Sequence, residues 1–105
     1  MKTTRAIVEE ALSDMKAEAV QVIDVSEQTA ITDAMAFATG NSRRHVRSIA
    51  NEVVDASTAA GHKPLGIEGL ETNEWVLVDL GDIVVHIMLE DVRDFYRLER
   101  IWGVE

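Results

Sequence analysis

Cysteine is absent from the 105 residues of this sequence. Its absence excludes disulfide bonds, catalysis by a thiolate and every zinc site that uses cysteine ligands. The three histidines, His45, His62 and His86, lie far apart and belong to no spaced ligand motif. The sequence therefore predicts no metal site and no cofactor, and we expect His45 and His62 to be ordinary surface residues.

Long hydrophobic runs are also missing. No apolar stretch approaches the roughly 20 residues that a membrane helix needs. The first residues lack the apolar core of a signal peptide, so we expect a cytoplasmic protein. A chain of 105 residues is expected to form a single domain, which would span residues 1–105.

Positive charge is scarce, because 10 Lys and Arg residues stand against 19 Asp and Glu residues and give a formal net charge of -9. Nonspecific binding to nucleic acid depends on Lys and Arg neutralising phosphates, so we expect little or no direct contact with nucleic acid. A basic protein is a better-matched partner. The one basic cluster, Arg43, Arg44 and Arg47, could approach RNA, but a solvated helix face balanced by Glu52 and Asp55 is the more frequent arrangement.

Aromatic residues make up only 5% of the chain, and a few large rings usually serve as core or as interface anchors. Trp102 continues an apolar stripe at helical spacing, which predicts a core position. Trp75 and Tyr96 lie at the margins of such patterns. The residues alone leave open whether these two rings form a half-buried rim of the core or an interface.

The stretch from Glu74 to Leu89 has the pattern of two β-strands joined by a tight turn at Gly81-Asp82. The second strand is apolar on both faces, which is typical of an interior strand. Asp79 and His86 are the polar exceptions. They could form an acid/base pair across the hairpin, although a hydrogen-bonded structural pair is the more frequent role of such residues.

The remaining pattern predicts an α/β fold with a mixed sheet of about five strands flanked by helices. Apolar stripes at helical spacing predict three helices, at residues 7–15, 46–57 and 92–102. Further strands are predicted at residues 20–25, 34–38 and, as an edge segment, 64–69. We expect Thr4 to cap the first helix and Gly61 to end the second.

The loop Thr39-Gly40-Asn41-Ser42 precedes the second predicted helix and could hold a phosphate at the helix N-terminus. A simpler reading, and a more frequent one, is that Asn41 or Ser42 caps the helix while Gly40 makes the turn. Nucleotidyl transfer with two metal ions usually uses two acids separated by one residue. No Asp or Glu in this chain is followed two positions later by another.

Five stretches together resemble the ribosomal silencing factor family, also called Iojap-like. They are ITD at 31–33, TGNSRRHV at 39–46, KPLGIEG at 63–69, WVLVDLGDIVVH at 75–86 and FYRLERIW at 95–102. The resemblance implies a fold similar to that of nucleotidyltransferases, and the missing pair of acids predicts that this fold lacks the catalytic carboxylates. It also implies a factor without enzymatic activity that binds the large ribosomal subunit through its protein number fourteen and blocks joining of the small subunit. Translation is thereby lowered when nutrients are scarce, and family members commonly form homodimers off the ribosome.

Given this resemblance, we expect Trp75 and Tyr96 to be partner-binding anchors, with the acids Glu68, Asp79 and Glu99 near them. Two other functions stay open. One is a nucleotide-binding transferase that uses the Gly40 loop, and the other is a plain dimerisation module.

Overall fold

The computed structural model describes residues 3–102, without the side chain of Trp102. In chain order the elements are α1 (Thr4–Asp14), β1 (Glu18–Asp24), β2 (Ala34–Gly40), α2 (Arg43–Ala59), β3 (Gly66–Glu68), β4 (Trp75–Asp79), β5 (Ile83–Leu89), α3 (Glu90–Tyr96) and a 3-10 helix (Leu98–Trp102). The strands form one sheet in the order β1-β2-β5-β4-β3. The β2–β5 pair is parallel and the other three pairs are antiparallel. The predicted α/β fold with a mixed sheet is confirmed.

Strand β5 lies in the middle of the sheet, and its side chains from Ile83 to Met88 are all buried. An apolar side chain on either face gains about 1.5–3 kcal/mol when it leaves water, so a strand that is apolar on both faces needs cover on both. The predicted interior strand is confirmed. The predicted edge segment is confirmed as well, because β3 lies at one border of the sheet.

Helices α1 and α2 cover the first face of the sheet. Val8 and Leu12 of α1 join Val46 and Ile49 of α2 in the larger apolar cluster. Gly40 lies where β2 meets α2, and a Cβ at this position would lie 2.7 Å from Cγ2 of Val46. Only glycine fits at position 40, because the end of β2 lies so close to α2. The sequence had predicted instead that Gly40 makes a turn.

The first two helices begin at side chains that satisfy free backbone amides. Thr3 caps α1, since its hydroxyl oxygen accepts a hydrogen bond from the Ala6 amide at 3.1 Å. The predicted cap Thr4 is wrong, because Thr4 is instead the first helical residue and is buried. Ser42 caps α2 by accepting from the His45 amide at 3.0 Å, as one of the two predicted caps. Gly61 follows the end of α2 with a positive φ of 89°, as expected for a helix stop.

Residues 90–102, which we call the covering segment, lie over part of the second face of the sheet. Val92 and Leu98 pack there against a smaller cluster that includes Phe37 and Met88. The single helix predicted over residues 92–102 is wrong. Helix α3 ends at Tyr96, because Arg97 adopts a left-handed conformation with φ 46°.

This break changes which apolar residues of the covering segment are buried. Phe95 and Ile101, both assigned to the predicted stripe, are exposed. The prediction that Trp102 is a core residue lies outside the described side chains. Among the described residues no helix combines the length and the apolar content needed to cross a bilayer.

A buried arginine fastens the covering segment to the sheet. Nη1 of Arg93 donates to the Ala19 carbonyl oxygen at 2.6 Å and to the Thr39 hydroxyl oxygen at 3.0 Å. Nε of Arg93 donates to Oε2 of Glu99 at 3.2 Å. Hydrogen bonds to a charged group are worth about 1.5–3 kcal/mol, so this side chain holds α3 to β1 and β2.

We expect Gly69→Ala to lower the free energy of unfolding by more than about 2 kcal/mol. Gly69 has φ 96°, and a Cβ there would overlap the carbonyl oxygen of Trp75. Gly66 is the matched control, because it has ordinary φ and a Cβ there meets no atom within 4 Å. Gly66→Ala should change the stability by no more than about 0.5 kcal/mol in urea unfolding. Equal losses in the two variants would contradict the assigned contact.

Candidate functional site

The second face of the sheet carries the side chains that the sequence singled out. In β4, Val76 and Val78 belong to the cluster under the helices, so Trp75, Leu77 and Asp79 point to the second face. Cross-strand pairing then places Phe37, His86, Leu77 and Glu68 side by side on β2, β5, β4 and β3. The covering segment leaves part of this face exposed.

Five rings form a continuous line on this side, which we call the aromatic row. It consists of Phe37, His86, Trp75, Tyr96 and Phe95, with successive ring centroids 5.1, 6.0, 5.1 and 5.0 Å apart. These spacings are those of favourable aromatic pairs. The row runs from a fully buried ring at Phe37 to Phe95, which is 81% exposed.

The two predicted anchors are neighbours in this row. Trp75 is half-buried in β4, and Tyr96, at the end of α3, is 54% exposed. The structure thus brings together two residues that lie 21 positions apart in the chain. Phe95 extends the same surface. Its exposure was not predicted, because its spacing in the sequence matches the core stripe of a continuous helix.

A hydrogen bond fixes the ring of Trp75 over the sheet. The indole Nε1–H donates to Nδ1 of His86 at 3.1 Å. Trp75 pairs with Met88 and Leu77 pairs with His86, so Trp75 and His86 are diagonal neighbours on one face, within reach of an aromatic side chain. An indole nitrogen can only donate. The acceptor Nδ1 must therefore be unprotonated, which puts the ring proton of neutral His86 on Nε2.

Burial keeps His86 in this neutral form. The ring is 6% exposed and stacks on Phe37 at an interplanar angle of 9°. Desolvation of the imidazolium lowers the pKa of His86 from 6.5 to about 4, and the carboxylate of Glu99 opposes part of that shift. At neutral pH the acceptor for the indole proton is therefore always available.

The predicted pair of Asp79 and His86 is wrong. The tight turn pairs Asp79 with Val84, whereas His86 pairs with Leu77. Oδ1 of Asp79 accepts a hydrogen bond from the Gly81 amide at 2.9 Å, so this carboxylate stabilises the turn instead. Asp79 therefore does not orient His86 as a general base.

The three predicted acids occupy different environments. Glu68 is exposed on the edge strand and is a diagonal neighbour of Trp75 on the second face. Asp79 lies beside the turn, farther along β4. Glu99 forms a mostly buried ion pair with Arg93, and its Oε1 atom is buried without a hydrogen-bond partner among the described residues. Glu68 is therefore the acid that is best placed beside the anchors, and partner binding by all three acids stays a prediction.

The Gly40 loop borders a crevice of about 480 Å³. Three carboxylates line it, from Glu18, Glu90 and Asp91. Arg43 is the one cationic side chain among the described residues that line it, and it is paired with Glu74 at 2.6 Å. The negative charge of the three carboxylates disfavours binding of a triphosphate in the crevice, since like charges repel.

The backbone of the loop is also engaged. The Asn41 amide donates to Nδ1 of His45 at 2.9 Å, and Nε2 of His45 donates to the Met15 carbonyl oxygen at 2.8 Å. His45 therefore joins the loop to the end of α1, and its prediction as an ordinary surface residue is wrong. Within residues 3–102, side chains of His, Asp or Glu form no group of three that could hold a metal ion.

We expect the wild-type protein to lose about 2 kcal/mol more stability than His86→Phe when the pH falls from 7 to 5. In the unfolded chain His86 takes up a proton below its usual pKa of 6.5, whereas the folded protein resists protonation until the pH is about 4. The unfolded state thus binds more protons in this window, and stability falls with pH. Urea unfolding of both proteins at the two pH values measures the difference. The carboxylates are common to both proteins, so equal losses would contradict a buried neutral His86.

Known proteins that resemble this chain in sequence also share its fold. The family model described as "Ribosomal silencing factor during starvation" matches residues 1–105. A ribosomal silencing factor of Chromobacterium violaceum is 47% identical over 94 residues, which cover 90% of this chain and 77% of that protein. A crystal structure of a protein from the same organism has a TM-score of 0.95 and 43% identity, and the match covers 97% of this chain and 85% of the other.

A more distant mouse protein has the name "Mitochondrial assembly of ribosomal large subunit protein 1". It is 30% identical over 94 residues, which cover 87% of this chain and 41% of that protein. The family match and the bacterial relative together decide the family. This chain belongs to the family of ribosomal silencing factors.

Proposed function

We propose that this chain binds the large ribosomal subunit in the cytoplasm, through the subunit's protein number fourteen, and blocks joining of the small subunit without catalysing a reaction. The aromatic row is the observation that carries the proposal. It presents Trp75, Tyr96 and Phe95 at the open part of the second face. Membership of the silencing factor family and the name of the mouse relative both direct attention to the ribosome.

The exposed rings have the properties of interface anchors. Tyrosine and tryptophan bury much apolar area at a low cost in conformational entropy, and they dominate the affinity of many protein interfaces. Tyr96 rests on Trp75, and Trp75 in turn rests on His86, so the exposed end of the row is supported from below. A supported ring loses little further freedom on binding, which favours affinity.

Charge supports a basic partner. The chain has a formal net charge of -9, and the exposed carboxylate of Glu68 lies on the strand beside that of Trp75. Opposite charge on the two surfaces speeds encounter and fixes orientation more than it raises affinity. Of the three predicted acids we place Glu68 in this rim and Asp79 farther along the strand of Trp75, whereas Glu99 is mostly buried in its ion pair with Arg93.

Obstruction needs position and affinity, and it needs no reactive group. The described part of the chain measures 35 × 30 × 22 Å, so a bound copy can hold two large surfaces apart.

In this proposal the enzyme alternative is disfavoured by the acidic crevice at the Gly40 loop. Calorimetry with ATP and magnesium tests that alternative, since heat of binding would support a nucleotide site.

We propose further that the free protein forms a homodimer through the same exposed rings. Phe95, Tyr96 and Ile101 are exposed apolar residues of the covering segment, and self-association would cover them. One surface would then serve either a second copy or the ribosome, so dimer formation and subunit binding should compete.

We expect Tyr96→Ala and Phe95→Ala each to weaken binding to isolated large subunits by about tenfold, as loss of an interface anchor does. Co-sedimentation at several subunit concentrations measures the change. Both side chains are largely exposed, so the melting temperature should stay close to that of the wild type. Trp75→Ala should weaken binding as well, but its interpretation requires an unfolding measurement, because Trp75 is half-buried.

Ile31→Ala is the matched control for the two aromatic variants. Ile31 is 84% exposed and precedes β2, at the end of the sheet opposite Trp75 and Met88. Its removal should leave co-sedimentation unchanged. Wild-type binding by both aromatic variants would show that the row is not the docking surface.

Binding to the subunit should weaken as ionic strength rises from about 0.05 M to about 0.3 M, because salt screens attraction between exposed charges. Glu68→Gln should reduce this dependence, whereas Glu27→Gln, an exposed acid in the β1–β2 connection, should leave it unchanged. Fluorescence anisotropy of labelled protein with large subunits measures the slopes. An affinity that does not change with salt would indicate a contact without the acidic rim.

A further inference from the structure

His86 is a polar exception in the middle of a buried apolar strand. The side chains of β5 from Ile83 to Met88 are all buried, and His86 is the one among them with an ionisable group. Burying a polar ring costs free energy unless it is hydrogen-bonded, and an apolar side chain would fill the space without that cost. Within the described structure its Nδ1 accepts a hydrogen bond from the indole N–H of Trp75.

The stacking on Phe37 and the hydrogen bond from Trp75 constrain different rings. Stacking on Phe37, at 5.1 Å and 9°, holds the imidazole ring in a fixed plane. The bond from Trp75 then has a fixed acceptor, and a hydrogen bond constrains the direction of the indole, which apolar packing alone does not. Trp75 supports Tyr96 at a centroid distance of 5.1 Å, so the orientation set at His86 extends to the exposed end of the row.

We propose that His86 is a positioning residue for docking: it fixes the indole of Trp75, and through it Tyr96, in the orientation that the large ribosomal subunit binds. This role rests on the proposed function. His86 is 6% exposed, so the role does not require its own contact with the partner. We therefore expect loss of the hydrogen-bond acceptor at residue 86 to weaken binding to the large subunit, even in a variant that still folds.

Two substitutions separate the acceptor from the ring. His86→Phe keeps an aromatic ring against Phe37 but removes the acceptor. His86→Asn keeps an oxygen near the position of Nδ1 but loses the ring. We expect His86→Phe to bind large subunits about tenfold more weakly, because an indole N–H left without a partner no longer fixes the ring. His86→Asn should bind within about threefold of the wild type.

A double-variant experiment tests whether His86 acts through Trp75. In a Trp75→Phe background there is no indole N–H to accept, so the further change His86→Phe should cause no additional loss of binding. Additive losses would overturn the proposal. His86→Leu, with a smaller side chain, replaces His86→Phe in both experiments if the phenylalanine variant fails to fold in a thermal unfolding measurement.

The indole proton gives a readout that does not depend on the ribosome. In proton–nitrogen NMR spectra of the free protein, the Nε1–H signal of Trp75 should shift and exchange faster with solvent in His86→Phe, and should stay near its wild-type position in His86→Asn. Wild-type affinity in His86→Phe, with the signal shifted, would overturn the positioning role. If the wild-type protein does not bind large subunits, the proposed function fails. An unshifted signal in His86→Phe would show separately that His86 does not hold Trp75.

Discussion

The need to bury both faces of β5 governs the structure. A central strand whose side chains are apolar on either side cannot leave one face in water without a large loss of hydrophobic free energy. Helices α1 and α2 cover the first face, and the covering segment protects Phe37 and Met88 on the second. The described part of the covering segment leaves Glu68 exposed and Trp75 and Leu77 half-buried on this face. The candidate site lies where its protection ends.

The aromatic row joins the core to the proposed docking surface in one set of contacts. Its inner end belongs to the core, and its outer end is exposed. His86 stands between the two, and burial keeps it uncharged, so that Nδ1 stays able to accept from the indole of Trp75. A surface built in this way does not depend on a flexible loop. Rigid anchors on a sheet and a helix suit a protein that works by occupying a place on another surface.

Much of the fold followed from periodicity, whereas the site required geometry that periodicity does not contain. Strand β5 and the stripe of α2 were predictable, because long patterns of burial repeat at fixed spacing. The last helix was not, since a left-handed Arg97 interrupts a pattern that still looks continuous. The partner of His86 could have been found by counting back from the Gly81-Asp82 turn, which sets Leu77 opposite it and Trp75 diagonally beside it. The contact between Trp75 and Tyr96 depends on where α3 docks, and no local pattern encodes that.

Arg93 binds a carbonyl oxygen that lies 74 residues earlier in the chain, at Ala19. A polypeptide is synthesised from its N-terminus, so β1 and β2 exist long before the residue that fastens them to α3. Until residues 90–102 have been made, nothing of the covering segment packs against Phe37 and its neighbours on the second face. Closure is then a late step, because α3 directly follows β5, the strand that pairs with β2. A partly made chain also lacks Tyr96, so it does not yet carry the surface proposed to dock on a ribosome, including the one that is making it.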